Sequence, residues 1–427
     1  MRAAHRAQAS AQSGAPVALA SWPTSTTRGT AITTGSIPRS PSRSPRTAPA
    51  GAPDRSPARW GVTGVSPGEG EFGNRPAGRY DGEPPEGEDV DSPGAQHPVR
   101  VAVVGCGAWG KNHVRTHAAI GSLAAVVDPV PGVAEAHAAA YGVEARTFDE
   151  VLADPAVDGV VIAAPAADHA RLALAALAAG KHVFVEKPLA LTVEDAERVV
   201  AAAAEADRVL MVGHLLQYHP AFLALRSLVD TGRLGELRYL YSNRLNLGQF
   251  RQEENSLWSF APHDLSMLLS LVGEEPDEVW ATGAAYLTSD VADVTTTHLA
   301  FPSGPRAHVF VSWLHPFKEQ RLVVVGSEAM AVFDDRNDWP DKVVLFEHGV
   351  DWSEGRPRPQ RAEGVPVPLD ETEPLRVECE HFLACIESGA APRTDGAEGL
   401  RVLRVLARAQ ESLGSLESAA AVGGSGR

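Results

Sequence analysis

The stretch Val99-Arg100-Val101-Ala102-Val103-Val104-Gly105-Cys106-Gly107-Ala108-Trp109-Gly110 constrains the fold more than any other part of the chain. An apolar run of this length that ends in glycines reads as a strand buried on both faces, and such strands belong to parallel sheets covered by helices. Strand-like and helix-like stretches then alternate to about Gly213: LAAVVD before VAEAHAAAYG, VDGVVIAAP before HARLALAALAAG, HVFVEKP before TVEDAERVVAAAAEA, and finally RVLMVGH. This alternation predicts βαβ units with right-handed crossovers, and hence an α/β domain with a doubly wound parallel sheet over residues 98–217.

Beyond Tyr218 the pattern changes to β-rich runs, LRYLYSNRLNL, EVWATGAAYL, VTTTHLAF, RAHVFVSWLH, QRLVVVGS, AMAVFDD and KVVLFEHG. Their alternation predicts an α+β domain over 218–395, with a large, open, mostly antiparallel sheet. Helical segments at His263 to Leu271 and Leu375 to Glu387 supply part of the layer that must cover one face, and a closing helix within 396–415 packs back on the first domain. Residues 416–427 read as a disordered end. Residues 1–97 are rich in Ser, Pro, Thr, Gly and Arg without apolar periodicity. Such a segment buries too little apolar surface to offset its ordering entropy, so a disordered tail is expected. Its basic, acid-poor first half resembles a transit peptide but lacks an amphipathic helix; a dispensable tail, or a start site assigned too early, is the preferred reading.

Composition excludes several classes. At 427 residues, 44% of them hydrophobic, two folded domains and a tail fit comfortably. The formal charge of −16 repels phosphate backbones, so a small molecule is a better partner than nucleic acid. No run of about 18 apolar residues suggests a membrane span, and no apolar core follows Met1 as in a secretory signal. The three cysteines, Cys106, Cys379 and Cys385, form neither a disulfide framework nor a paired metal motif, as expected of a protein in a reducing cytosol.

The glycine motif carries the first chemistry. It follows an expected strand, precedes an expected helix, and is answered by Asp128 at the end of the next strand, which is the context of a dinucleotide site. Gly105 makes the turn, Gly107 admits a pyrophosphate to the backbone, and Gly110 lets the helix pack, while the helix N-terminus favours phosphate. Ala108 and Trp109 complete the loop. Asp128 would accept bonds from ribose hydroxyls and repel a 2′-phosphate, which favours NAD over NADP. A second group, Val185-Glu186-Lys187-Pro188, ends a strand at the edge of the sheet where ligands bind. Desolvation there would disfavour the Lys187 ammonium and make it a proton acceptor, although such a tripeptide is commonly an ordinary loop.

Taken in order and spacing, GCGAWGKNHVR, APAADH and GKHVFVEKPLA resemble the nucleotide-binding half of the Gfo/Idh/MocA oxidoreductases, and Phe382, Pro392, Thr394 and Asp395 fall in that family's closing pattern. The resemblance spans about 98–415. It implies a cofactor site that includes Ala164, Pro165, His169, Glu186 and Lys187, with Lys187 near both nicotinamide and sugar.

A third group, Trp258-Ser259-Phe260-Ala261-Pro262-His263-Asp264, precedes the apolar run LSMLLSL. Pro262 suits the first helical position, which would put His263 in the first turn, where the helix dipole disfavours imidazolium. Relatives carry a catalytic histidine at such a place, and His263 matches it; many also carry an Asp where this chain has Ser259, which leaves the base assignment open between Lys187 and His263. The segments GHLLQYHP and NRLNLG, running on to ENSLW, resemble members that oxidise the 3-hydroxyl of UDP-linked N-acetylhexosamines or their uronic acids. They nominate Tyr218, His219, Arg244, Asn246, Gln249, Arg251, Asn255, Trp258 and His263 as substrate contacts. His214, His219, His263 and Asp264 match no zinc spacing, and hydride transfer to NAD needs no metal. The expectation is therefore an NAD-dependent sugar dehydrogenase that pairs through the exposed sheet face as a homodimer or homotetramer. A dehydrogenase of free sugars or inositol, or a non-catalytic sensor, are the rivals.

Overall fold

The computed structural model describes residues 98–248, 250–252 and 254–423, with side chains up to residue 414. The expected tail at 1–97 lies outside the described residues. The first domain runs β1 (Val101–Val104), α1 (Gly110–Ala119), β2 (Leu123–Val127), α2 (Val133–Tyr141), β3 (Glu144–Ala145), α3 (Phe148–Ala153), β4 (Gly159–Ile162), α4 (Ala166–Ala178), β5 (His182–Glu186), α5 (Val193–Ala206) and β6 (Leu210–Gly213). All pairings in its sheet are parallel, in the order β3-β2-β1-β4-β5-β6. This is the doubly wound arrangement, with a topological switch between β1 and β4 where ligands bind. Every residue of β1, β4 and β6 is buried, as expected of strands covered on both faces. Short side chains close the helix ends: Thr192 caps α5 by accepting from Asp195 N, and Thr147 with Glu150 forms a capping box on α3.

A 3-10 turn (Leu215–Tyr218) and α6 (Pro220–Asp230) lead into the second domain, with β7 (Leu237–Leu247), α7 (Ser256–Val272), β8 (Glu278–Ala284), β9 (Val294–Ala300), β10 (Arg306–Ser312), β11 (Leu314–Gly326), β12 (Met330–Asp334) and β13 (Val343–Phe346). A small ribbon of β14 (Gly349–Asp351) and β15 (Arg358–Gln360), then β16 (Gly364–Pro366), α8 (Pro374–Ser388) and α9 (Gly396–Gly423), complete it. The large sheet has the order β16-β13-β12-β11-β7-β10-β9-β8. It is antiparallel except between β7 and β10, which run parallel because α7 and two strands intervene between them. No helix among the described residues is long and apolar enough to cross a membrane.

Three features depart from the sequence reading. Helix α7 begins at Ser256, two turns before Pro262, because Asn255 caps it by accepting from Trp258 N. Helix α8 covers the first domain's sheet rather than the second's: Phe382 packs with Val101, Phe184 and Met211, its ring 5.8 Å from that of Phe184. Helix α9 extends to Gly423, beyond the expected end at 415, and packs against α5 and β6 of the first domain as well as α7 and β8 of the second.

Candidate active site between the two domains

The glycine loop is shaped by sterics. Gly105 sits at φ +89°, where a side chain is strained, and a Cβ on Gly110 would stand 1.8 Å from the Gly105 carbonyl oxygen. At Gly107 a Cβ would meet nothing within 4 Å, so the backbone there faces open space. No side chain caps α1 and no acid occupies its first turn, which leaves its N-terminal N–H groups to an anion. Asp128 accepts from Cys106 N at 2.8 Å through one oxygen and from Val130 N at 2.9 Å through the other. Its carboxylate thus ties the end of β2 to the glycine loop. These features fit NAD, with Gly105, Gly107, Ala108, Trp109 and Gly110 around the phosphates.

The end of β5 reaches the same cleft. Trp109 Nε1 donates to Glu186 Oε1 at 2.6 Å, and His113 Nε2 lies 2.7 Å from the same oxygen. The Lys187–Pro188 bond is cis. His169 bridges two loops, its Nδ1 2.7 Å from the Pro188 carbonyl and its Nε2 2.9 Å from that of Ala164. Lys187 Nζ donates to the Ser259 carbonyl at 3.0 Å. The residue that departs from the usual pattern therefore meets the lysine through its main chain, one turn into α7. Burial lowers the Lys187 pKa from the ordinary lysine value; Glu254 and Glu186 oppose the shift, and Arg251 and Arg244 add to it.

His263 lies in the third turn of α7, not the first, so the helix dipole does not account for its state. Its pKa falls well below the ordinary histidine value through burial first, then the charges of Lys187, Arg244 and His214. Its Nδ1 is buried without a hydrogen-bond partner. Beside it Asp264, buried, accepts Arg244 in a two-pronged pair at 2.7 and 3.2 Å and also the Ser242 hydroxyl at 2.6 Å. That pair fixes the guanidinium of β7 against α7.

A cavity of about 490 Å³ opens between the domains, lined by Trp109, Ala164, Pro165, His169, Glu186, Lys187, Arg244, Asn246, Arg251 and His263. The expected catalytic pair, Lys187 and His263, thus converges with the expected substrate contacts Arg244, Asn246 and Arg251. Four other expected contacts do not, and the reading of them as substrate contacts is corrected. Tyr218 is wholly buried, its hydroxyl 2.9 Å from Thr394 Oγ1. His219 caps α6 and lies 3.3 Å from Asp335. Asn255 and Trp258 both donate to Gln410 Oε1, at 2.7 and 3.0 Å, binding α7 to α9. Gln249 lies outside the described residues. His214 is buried with its Nδ1 2.6 Å from Glu398. The cavity also holds Leu215, Glu254, Phe260, Lys318 and Gln320, none foreseen as contacts. Gln320 stands beside Arg244 through the β11–β7 register, a long-range pairing with no local signal.

Residues 99–214 match the family described as the oxidoreductase family with an NAD-binding Rossmann fold, and residues 222–332 match the GFO/IDH/MocA C-terminal domain. The chain is 30% identical over 328 residues to inositol 2-dehydrogenase of Rhizobium meliloti (strain 1021), covering 74% of this chain and 97% of that one. It is 31% identical over 309 residues to UDP-N-acetylglucosamine 3-dehydrogenase of Acidithiobacillus ferrooxidans, covering 71% and 94%. A solved structure of the Acidithiobacillus ferrooxidans enzyme superposes with a TM-score of 0.67 at 30% identity, over 74% of this chain and 98% of that chain. A glycine loop built for a dinucleotide, a cleft lysine and both domain matches lead to one conclusion: the chain belongs to the Gfo/Idh/MocA family of NAD-dependent oxidoreductases.

Proposed function

We propose that this chain oxidises a ring hydroxyl of a nucleotide-activated sugar, at C3 of an N-acetylhexosamine or its uronic acid. The observation that carries the reading is the meeting of Lys187 and His263 in one cleft with the cations Arg244, Arg251 and Lys318. Arg251 and Lys318 stand exposed at that cleft, where a diphosphate can be met by charge-assisted bonds. Asn246 and Gln320 offer donors and acceptors to ring hydroxyls.

NAD supplies the hydride acceptor when bound; the glycine loop, Asp128, Ala164, Pro165, His169 and Glu186 hold it. The chain's own task is to orient the sugar and take the hydroxyl proton. A useful base has a pKa near the working pH, and burial shifts the Lys187 amine in that direction. The His263 pKa lies well below the ordinary histidine value, so the ring serves as a neutral hydrogen-bonding partner that orients the hydroxyl. Holding the reacting atoms about 3–3.5 Å apart supplies much of the rate.

A second reading, oxidation of a free polyol, is favoured by the similarity to inositol 2-dehydrogenase. NADH formation across UDP-sugars, free sugars and inositols separates the two. Turnover of UDP-N-acetylhexosamines is expected, and activity confined to free polyols overturns it. We also propose that two copies pair through the outer face of the large sheet. There Trp280, His298, His308, Tyr241 and Tyr239 form a row of neighbouring rings, with successive centroids 4.9 to 6.0 Å apart. Light scattering on the full chain reads the expected dimer or tetramer; a monomer overturns the pairing.

A further inference from the structure

Helix α1, which carries the glycine loop at its N-terminus, is pinned by α8 through a polar cluster that the proposed reaction does not use. His113 and His117 stand one turn apart on the buried face of α1, and Cys379 faces them from α8. One potential ligand atom from each lies within 4.8 Å of the other two. The outward nitrogens are already occupied: His113 Nε2 lies 2.7 Å from Glu186 Oε1, and His117 Nδ1 lies 2.8 Å from Ser122 Oγ. Left facing inward are His113 Nδ1, 3.8 Å from Cys379 Sγ, and His117 Nε2, which is buried with no hydrogen-bond partner. Both carboxylate oxygens of Glu378, the neighbour of Cys379, are also buried and unpartnered. Buried polar atoms are rarely left unpaired, so several together imply something that satisfies them.

We propose that His113, His117 and Cys379 form a buried site for one thiophilic divalent cation of the zinc class. Imidazole nitrogen and thiolate sulfur are the donor types of zinc sites, with Zn–N about 2.0–2.1 Å and Zn–S about 2.3 Å, and these three ligands leave the fourth tetrahedral position to a non-protein ligand. In a tetrahedral site those lengths separate nitrogen from sulfur by roughly 3.5 Å, so the 3.8 Å between His113 and Cys379 closes with a small side-chain rotation. The outer bonds of both rings are those that orient metal-binding histidines, a carboxylate on one and a hydroxyl on the other. On binding, the Cys379 thiol proton leaves to solvent and sulfur donates an electron pair to the cation. Glu186, bonded to His113, supplies negative charge beside it. The cation would then fasten the phosphate-binding helix to α8, the segment that returns from the far end of the chain.

The test uses the full chain, stripped with a chelator and titrated with Co²⁺. One equivalent is expected to produce a thiolate-to-cobalt charge-transfer absorption in the near ultraviolet, and Zn²⁺ is expected to displace it and raise the melting temperature. Cys379→Ser removes the band while Cys385→Ser keeps it. Should Cys379→Ser fail to fold, Ser122→Ala decides instead: loss of the bond that orients His117 weakens Zn²⁺ about 10- to 100-fold in competition with a chromophoric chelator. A wild type without the band, a band that survives Cys379→Ser, or an unchanged affinity in Ser122→Ala overturns the site.

Discussion

The role of base proposed for Lys187 depends on where the chain places it. Exposed, its amine would be protonated at working pH; at the end of β5, half-buried and bonded to the Ser259 carbonyl, the ammonium form is disfavoured. Lys187→Ala is expected to lower kcat by about 10²- to 10⁴-fold, with NAD binding, read by fluorescence titration, weakened far less. Glu254 gives a finer check. Its carboxylate holds the Lys187 pKa up and pairs with Arg251 at 3.0 Å, whose charge pushes that pKa down. Glu254→Gln therefore removes the opposing charge and frees Arg251, and both effects act in the same direction. The neutral amine then exists at lower pH, so the rising limb of kcat/KM against pH moves to lower pH; an unmoved limb would take Lys187 out of the role of base.

At the scale of elements, polar hubs join pieces that periodicity describes separately. Asp335, just after β12, meets His219 at the start of α6 and Lys342 before β13, at 3.3 and 2.9 Å. Burial raises its pKa, but the hydrogen bonds from His219 and Lys342 outweigh that and hold it at about 2, below the ordinary 3.8. A depressed carboxylate stabilises the fold above its unfolded pKa, and that stability is lost as pH falls through the folded value. Asp335→Asn is expected to cost roughly 1–3 kcal/mol at neutral pH. Its melting temperature should fall less steeply than the wild type's between about pH 4 and 2. Parallel slopes in thermal melts would show that the hub carries no such charge coupling. The same hub explains why His219 resembled a substrate contact: a histidine before a proline is visible in the sequence, its partner more than a hundred residues away is not.

At the scale of the whole molecule, the chain's last folded stretch stitches the two domains together. Val212 N donates to the Thr394 carbonyl at 2.8 Å, extending β6, and the Thr394 hydroxyl returns to the Val212 carbonyl at 2.7 Å. Phe382 completes the apolar layer under the first sheet. Phe382→Ala is expected to cost about 3–5 kcal/mol in urea unfolding and to loosen the nucleotide-binding domain, although the sequence reading places it in the other one. A loss confined to the second domain, followed by hydrogen exchange, would contradict this. What was legible beforehand rests on local physics: buried strands must be apolar, helices must be amphipathic, and a phosphate loop must use glycines, so the doubly wound domain, its glycine loop and Asp128 could be read directly, whereas Lys187 stood out from an ordinary loop only through the family resemblance. A capping asparagine outweighing a proline signal set the true start of α7. The partners of α8, the β11–β7 register that sets Gln320 beside Arg244, the Asp264–Arg244 pair and the His113–His117–Cys379 cluster needed the tertiary structure. Each depends on which surfaces meet across long separations, and an apolar stripe records that a face is covered without recording what covers it.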